Sequence, residues 1–162
     1  MRKHKILLAT VSLLAIIAIL GYFFSKNQKN NTYAFKCEAD VKYDVDDTRG
    51  VSSIDALYVL TLGTDGKGLL HMSGVVRQMG QKLDLNRTYY FDFTKHEKID
   101  IYKALITEEK VSVYDAVDNQ FFHETFLPEK PGSYLYIKAR KIKENLYIFD
   151  GFSYTHLLCA SS

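Results

Sequence analysis

Residues 35–45 read Phe-Lys-Cys-Glu-Ala-Asp-Val-Lys-Tyr-Asp-Val, and the alternation does not break once. Phe35, Cys37, Ala39, Val41, Tyr43 and Val45 share one face, while Lys36, Glu38, Asp40, Lys42 and Asp44 share the other. A period of two with one apolar and one charged face predicts a half-buried β-strand. Downstream, the apolar runs Ala56 to Leu62 and Leu69 to Arg77 flank Gly63-Thr64-Asp65-Gly66-Lys67-Gly68, and Asp-Gly between such runs predicts a hairpin. Met79-Gly80-Gln81-Lys82 leads into Leu83 to Thr94, where Leu83, Leu85, Tyr89, Phe91 and Phe93 fall on one face.

Strands are expected next at Ile99 to Thr107 and Lys110 to Asp115, then one short helix, Asp118 to Phe126, stopped by Pro128. Tyr134 to Ile142 and Leu146 to Cys159 would close the chain as a hairpin around Lys143-Glu144-Asn145. Seven or eight antiparallel strands must hide their edges, so the pattern predicts a mainly β, barrel-like meander with one helix. The aromatic content of 14 %, from 12 Tyr and 10 Phe without Trp, suits pleated strands. Those rings have two readings, a filled barrel core or the lining of an apolar ligand cavity.

Upstream, Ile6 to Phe24 is nineteen residues without a charge, long enough at about 1.5 Å per residue to cross a hydrocarbon core of roughly 30 Å. The run ends in Gly-Tyr-Phe-Phe-Ser-Lys, where a signal peptidase would need small residues, so it reads as a retained anchor. Arg2, Lys3 and Lys5 precede it and are expected to stay cytoplasmic. The expected organisation is a cytoplasmic tip at 1–5, a transmembrane helix at 6–24, a polar stalk at 25–33 and an outer β domain at 34–162.

The formal net charge of +2 rests on that tip. Setting Arg2, Lys3 and Lys5 aside leaves 18 basic against 19 acidic residues, which offers no cationic face for phosphates and argues against direct nucleic-acid binding. The two cysteines, Cys37 and Cys159, bracket the outer domain, and in an oxidising compartment a disulfide between them would tie its ends together. The chain-entropy value of such a closure is about 5 kcal/mol.

Catalytic motifs are missing: the sequence has no His-Glu-x-x-His, Gly-x-Ser-x-Gly, phosphate-binding loop or dinucleotide fingerprint. The chain is therefore read as a non-enzyme with neither cofactor nor metal; a Ser-His-Asp arrangement assembled only by folding is the remaining catalytic reading. Outside the apolar run, His71, His96, His123 and His156 are either pH-sensing groups or ordinary histidines. A binding module that adds a strand from a partner would use the first and last strands, near Phe35 to Val45 and Leu146 to Cys159, with Tyr147 as an outward edge position. Closure of the barrel through those same strands is the alternative.

Several features together resemble the FidL-like family of small bacterial inner-membrane proteins: the basic tip, the single span, Phe35-Lys36-Cys37 after the stalk, the Gly66 to Arg77 stretch with Ser73-Gly74, Tyr89-Tyr90-Phe91-Asp92-Phe93, and Glu144-Asn145-Leu146-Tyr147-Ile148-Phe149 through Cys159. The resemblance implies an accessory whose periplasmic domain, lipocalin-like or calycin-like in fold, binds and stabilises a membrane-bound winged-helix transcription regulator as a heterodimer. Such a pair would promote expression of a fimbrial or other virulence locus, with acid or temperature as the signal. A second implied role is sensing of an apolar small molecule, a lipid or bile salt, by the barrel itself.

Overall fold

The computed structural model describes residues 33–47, 50–96, 101–152 and 155–161. The expected cytoplasmic tip, membrane span and most of the stalk lie outside these residues. Among the described residues no helix is long and apolar enough to cross a membrane.

Eight strands follow one another: β1 (Tyr33–Asp47), β2 (Gly50–Gly63), β3 (Lys67–Gln78), β4 (Gln81–Lys95), β5 (Ile101–Val111), β6 (Tyr134–Lys143), β7 (Leu146–Phe152) and β8 (Thr155–Ser161), with helix α1 (Asn119–Thr125) between β5 and β6. Each strand pairs antiparallel with the next and β8 returns to β1, so the sheet closes into a barrel. The alternation that predicts β1 sets its register: Cys37 and Ala39 are buried while Lys36, Glu38 and Asp40 are exposed, and Val41 faces Ala56 of β2. The β3–β4 connection is a two-residue turn in which Met79 (φ 49°) and Gly80 (φ 78°) both take positive φ, the twist that hairpin strands need.

Two expected strands are corrected. Lys110 to Asp115 does not form a strand of its own; β5 runs on to Val111, after which the chain turns and carries the Asp115 carboxylate inside. Leu146 to Cys159 is two strands, β7 ending at Phe152 and β8 starting at Thr155; just before that break Gly151 takes a φ of 116°, which departs from extended geometry, and a Cβ there would meet the Tyr136 carbonyl.

Within β5 a bulge opposite Tyr90 and Phe91 leaves Thr107 outside the ladder. Ala104 and Ile106 point inward before it; after it Glu109 does, so the bulge turns a carboxylate into the interior. Helix α1 starts where Asp118 accepts a hydrogen bond from the Phe121 N–H at 2.9 Å and ends before Pro128. Phe121, Phe122 and Phe126 are buried, and Phe126 meets Tyr43 of β1 at 6.0 Å between ring centroids. The helix thus fills the half of the barrel that contains Tyr43 and Arg87, and leaves the opposite half to a cavity.

Candidate functional site

The sheet closes at a short seam. The Cys37–Cys159 disulfide joins β1 to β8 with 5.5 Å between the Cα atoms. Backbone pairing there comprises Cys37 with Ser161 and Glu38 with Ala160. Among the described residues, 39–47 of β1 have a strand on the β2 side and none on the other. The outer face of this stretch carries Asp40, Asp44 and Asp46, with Lys42 held by Asp55 at 2.9 Å. Across the seam, Leu158 of β8 leaves 54 % of its surface exposed.

Tyr147 is not at this edge. Its strand is paired on both sides, Tyr147 lying opposite Lys141 of β6 and Cys159 of β8. Its ring packs edge-on against Phe35 at 4.9 Å and lines the interior cavity. The reason is parity: Tyr147 and the buried Phe149 lie two residues apart and share the inward face.

The cavity occupies about 260 Å³. Phe35, Phe91, Phe93, Tyr102, Tyr147 and Phe149 form its aromatic wall, and Leu60, Leu62, Ala104, Ile137 and Ala139 supply the aliphatic part. Its side chains bring no polar group except the hydroxyls of Tyr102 and Tyr147. Beside two of these rings, the ammonium of Lys95 lies 5.9 Å from the centre of the Tyr102 ring and that of Lys141 lies 6.0 Å from the centre of the Tyr147 ring.

The other half contains a polar cluster that periodicity does not announce. Arg87, fully buried, donates from Nε and Nη2 to the two Asp115 oxygens at 3.0 Å each, and from Nη1 to Glu109 Oε1 at 3.2 Å. The guanidinium also sits 4.4 Å from the centre of the Phe122 ring. Burial alone would lower the Arg87 pKa, but the Asp115 hydrogen bonds and charge outweigh it and the net shift is upward. Tyr89 donates its hydroxyl proton to Glu109 Oε1, and burial followed by that bond raises the phenol's pKa. The sequence carried one signal for this cluster: Arg87 falls on the inward row of Leu85, Tyr89 and Phe91, a cation where an apolar residue belongs.

Of the four histidines in the outer domain, His123 belongs to the cluster. Its Nδ1 lies 2.9 Å from the Leu127 carbonyl oxygen and its Nε2 lies 2.9 Å from Glu109 Oε2, so each ring nitrogen faces an acceptor. A neutral imidazole has one N–H; making both bonds takes a second proton, on the ring or on Glu109. His71 pairs with the Thr88 hydroxyl at 2.9 Å on the adjacent strand. His96 is exposed at the end of β4, where its backbone N–H donates to the Ile101 carbonyl at 2.8 Å. His156 is on β8, and its side chain lies outside the described residues. Among the described residues no three His, Cys, Asp or Glu side chains are placed to hold a metal ion.

Residues 74–159, just over half of the chain, match the family model described as "FidL-like putative membrane protein". No curated protein and no solved structure matches the chain. The matched segment runs from the middle of β3 to Cys159 and so contains α1, Arg87, Asp115, Glu109 and most of the cavity wall. The chain belongs to the FidL-like family of membrane proteins.

Proposed function

We propose that this FidL-like membrane protein is a non-catalytic accessory subunit that works through a protein–protein contact. Residues 6–24 anchor it once in a bacterial inner membrane, with the N-terminus cytoplasmic and the barrel in the periplasm. The barrel binds the periplasmic domain of a membrane-bound winged-helix transcription regulator and stabilises it, promoting transcription of a fimbrial or virulence locus under acid or temperature control. DNA contact belongs to the regulator.

The observation that carries this reading is the short β1–β8 seam, which among the described residues leaves 39–47 of β1 with a strand on the β2 side only. An unpaired edge presents backbone donors and acceptors in a row, and a partner strand laid along it satisfies them. The exposed Leu158 beside the seam adds an apolar contact, and the disulfide keeps the edge in place when the partner is absent. Deleting residues 33–162 while retaining the anchor should lower regulator abundance and target transcription together. Unchanged levels of both would refute the role.

A second reading is favoured by the cavity: the barrel takes an apolar small molecule and reports its presence. A closed eight-stranded barrel has room for one small ligand when its interior is not filled by side chains.

A further inference from the structure

We infer that the β6–β7 hairpin is a membrane-surface contact, lying on the anionic phospholipid headgroups of the bilayer that anchors the chain. This rests on the anchor proposed above and names a second contact with the same bilayer, made by the barrel.

From Lys138 to Lys143, β6 reads Lys-Ala-Arg-Lys-Ile-Lys, four cations in six residues with no acid, and the turn adds one acid, Glu144. Arg140 is held by Asp150 at 2.9 Å, whereas Lys138, Lys141 and Lys143 are exposed and enter no ion pair among the described residues. Between Lys141 and Lys143 the pairing with β7 shifts register, and there Ile142 keeps 51 % of its surface exposed. An aliphatic side chain flanked by lysines at a hairpin end suits a headgroup layer, where the apolar group enters the boundary and the ammonium groups meet phosphates. A charged surface attracts each lysine where it stands, so the ammonium groups need not converge on one point.

The hairpin sits at the end of the barrel where β1 begins. Asn145, in the β6–β7 turn, accepts the Ser161 N–H at 2.8 Å, and Ser161 lies opposite Cys37, four residues after the start of β1 at Tyr33. Residues 25–32 connect Tyr33 to the apolar run, and eight residues reach at most about 29 Å when fully extended. A tether this short keeps the hairpin end at high effective concentration beside the headgroups, so a contact that is weak on its own suffices. Strand β1 runs from this end toward Asp44 and Asp46, which an anionic surface repels. Attraction at one end and repulsion at the other orient the barrel, and residues 39–47 of β1 stay turned away from lipid and open to a protein partner.

The chain contains no tryptophan, so Ile142→Trp puts a single reporter in the hairpin, and Val51→Trp, at an exposed position opposite Asp46, puts one at the other end of the barrel. The full chain carrying either substitution is placed in phosphatidylcholine nanodiscs that contain doxyl-labelled lipid, with and without phosphatidylglycerol. Emission from position 142 should shift to the blue and be quenched several-fold more when phosphatidylglycerol is present, and emission from position 51 should not respond. Adding Lys141→Gln and Lys143→Gln should weaken docking roughly fivefold for each lysine removed. Salt at about 0.5 M should abolish the response to phosphatidylglycerol. In the unsubstituted chain, amide exchange across residues 142–145 should slow when phosphatidylglycerol is added.

Flotation of the chain with the discs reads the anchor separately. A chain that floats but shows no quenching at position 142, equal quenching with and without phosphatidylglycerol, or quenching at position 51 as strong as at 142 would overturn the surface contact and leave the anchor standing. A chain that does not float would overturn both.

Discussion

Arg87 and Asp115 meet as a fork on a fork: Nε and Nη2 of one reach the two carboxylate oxygens of the other at 3.0 Å, with neither side chain exposed to solvent. Asp115 also accepts the backbone N–H groups of Asn86 and Val117, at 2.8 and 3.0 Å. One carboxylate therefore positions a guanidinium, a strand of the barrel and the segment leading into α1. Removing it leaves a buried cation with only part of its shell.

Asp115→Ala is accordingly expected to destabilise the barrel by about 3–5 kcal/mol, the range for breaking a buried ion pair from one side. Asp92→Ala, at an exposed partner of Lys67, should stay within about 0.5 kcal/mol. Urea unfolding of the two variants beside the parent checks the contrast. Equal midpoints would mean that the cluster contributes nothing to stability.

The disulfide closes 122 residues of sequence, for which chain entropy gives about 5 kcal/mol. The Cys37→Ser/Cys159→Ser variant should lose several kcal/mol and become indifferent to reductant, while the parent loses the same amount on reduction. Denaturant midpoints with and without dithiothreitol measure this. Parent midpoints that do not respond to reduction would contradict it.

Gly74 packs where β3 comes close to β2. A Cβ there would lie 2.3 Å from the Asp55 carbonyl oxygen and 2.5 Å from Ala56 Cα, both backbone atoms that cannot turn aside. Gly74→Val should therefore separate the two strands and cost at least about 1–3 kcal/mol, the range for overpacking. Thermal unfolding is the measurement, and an unchanged midpoint would show that the strands yield without cost.

Alkaline pH should weaken the fold. Burial pushes the Tyr43 phenol up to about 12 from an ordinary 10.0, and burial raises Tyr58 and Tyr89 as well. The folded state holds these protons more tightly than the unfolded chain does, so their contribution is complete below pH 10 and is lost progressively above it, that of Tyr43 as pH rises through about 12. Unfolding midpoints are expected to be flat up to pH 10 and to fall above it. In a parallel ultraviolet titration, these phenolates should appear late or together with unfolding.

The first four strands were legible because their alternation is strict and their turns carry glycine; the cysteine pairing was legible because both ends of the domain carry one thiol each. Two errors have one origin. Periodicity assigns parity but does not say where parity resets, so the bulge at Thr107 hides the inward turn of Glu109, and the break after Phe152 hides the division of β7 from β8. Tyr147 was misplaced for a different reason. Its parity with Phe149 points it inward, and the pairing of its strand with both β6 and β8 leaves it no edge. The cavity was one of two readings of the aromatic content, and composition cannot separate rings that fill a barrel from rings that line it.

The seam is the centre of the functional account, and site-specific photocrosslinking in cells tests it most directly. A benzoylphenylalanine placed at Asp44, on the stretch of β1 that among the described residues has a strand on its β2 side only, is compared with one at Asp92 on β4, which is paired with Lys67 of β3 and Leu105 of β5. The account predicts a crosslink from position 44 to a membrane-bound winged-helix regulator and none from position 92. Crosslinking of the regulator from position 92 but not from 44, or from neither while the barrel still supports target transcription, would contradict it.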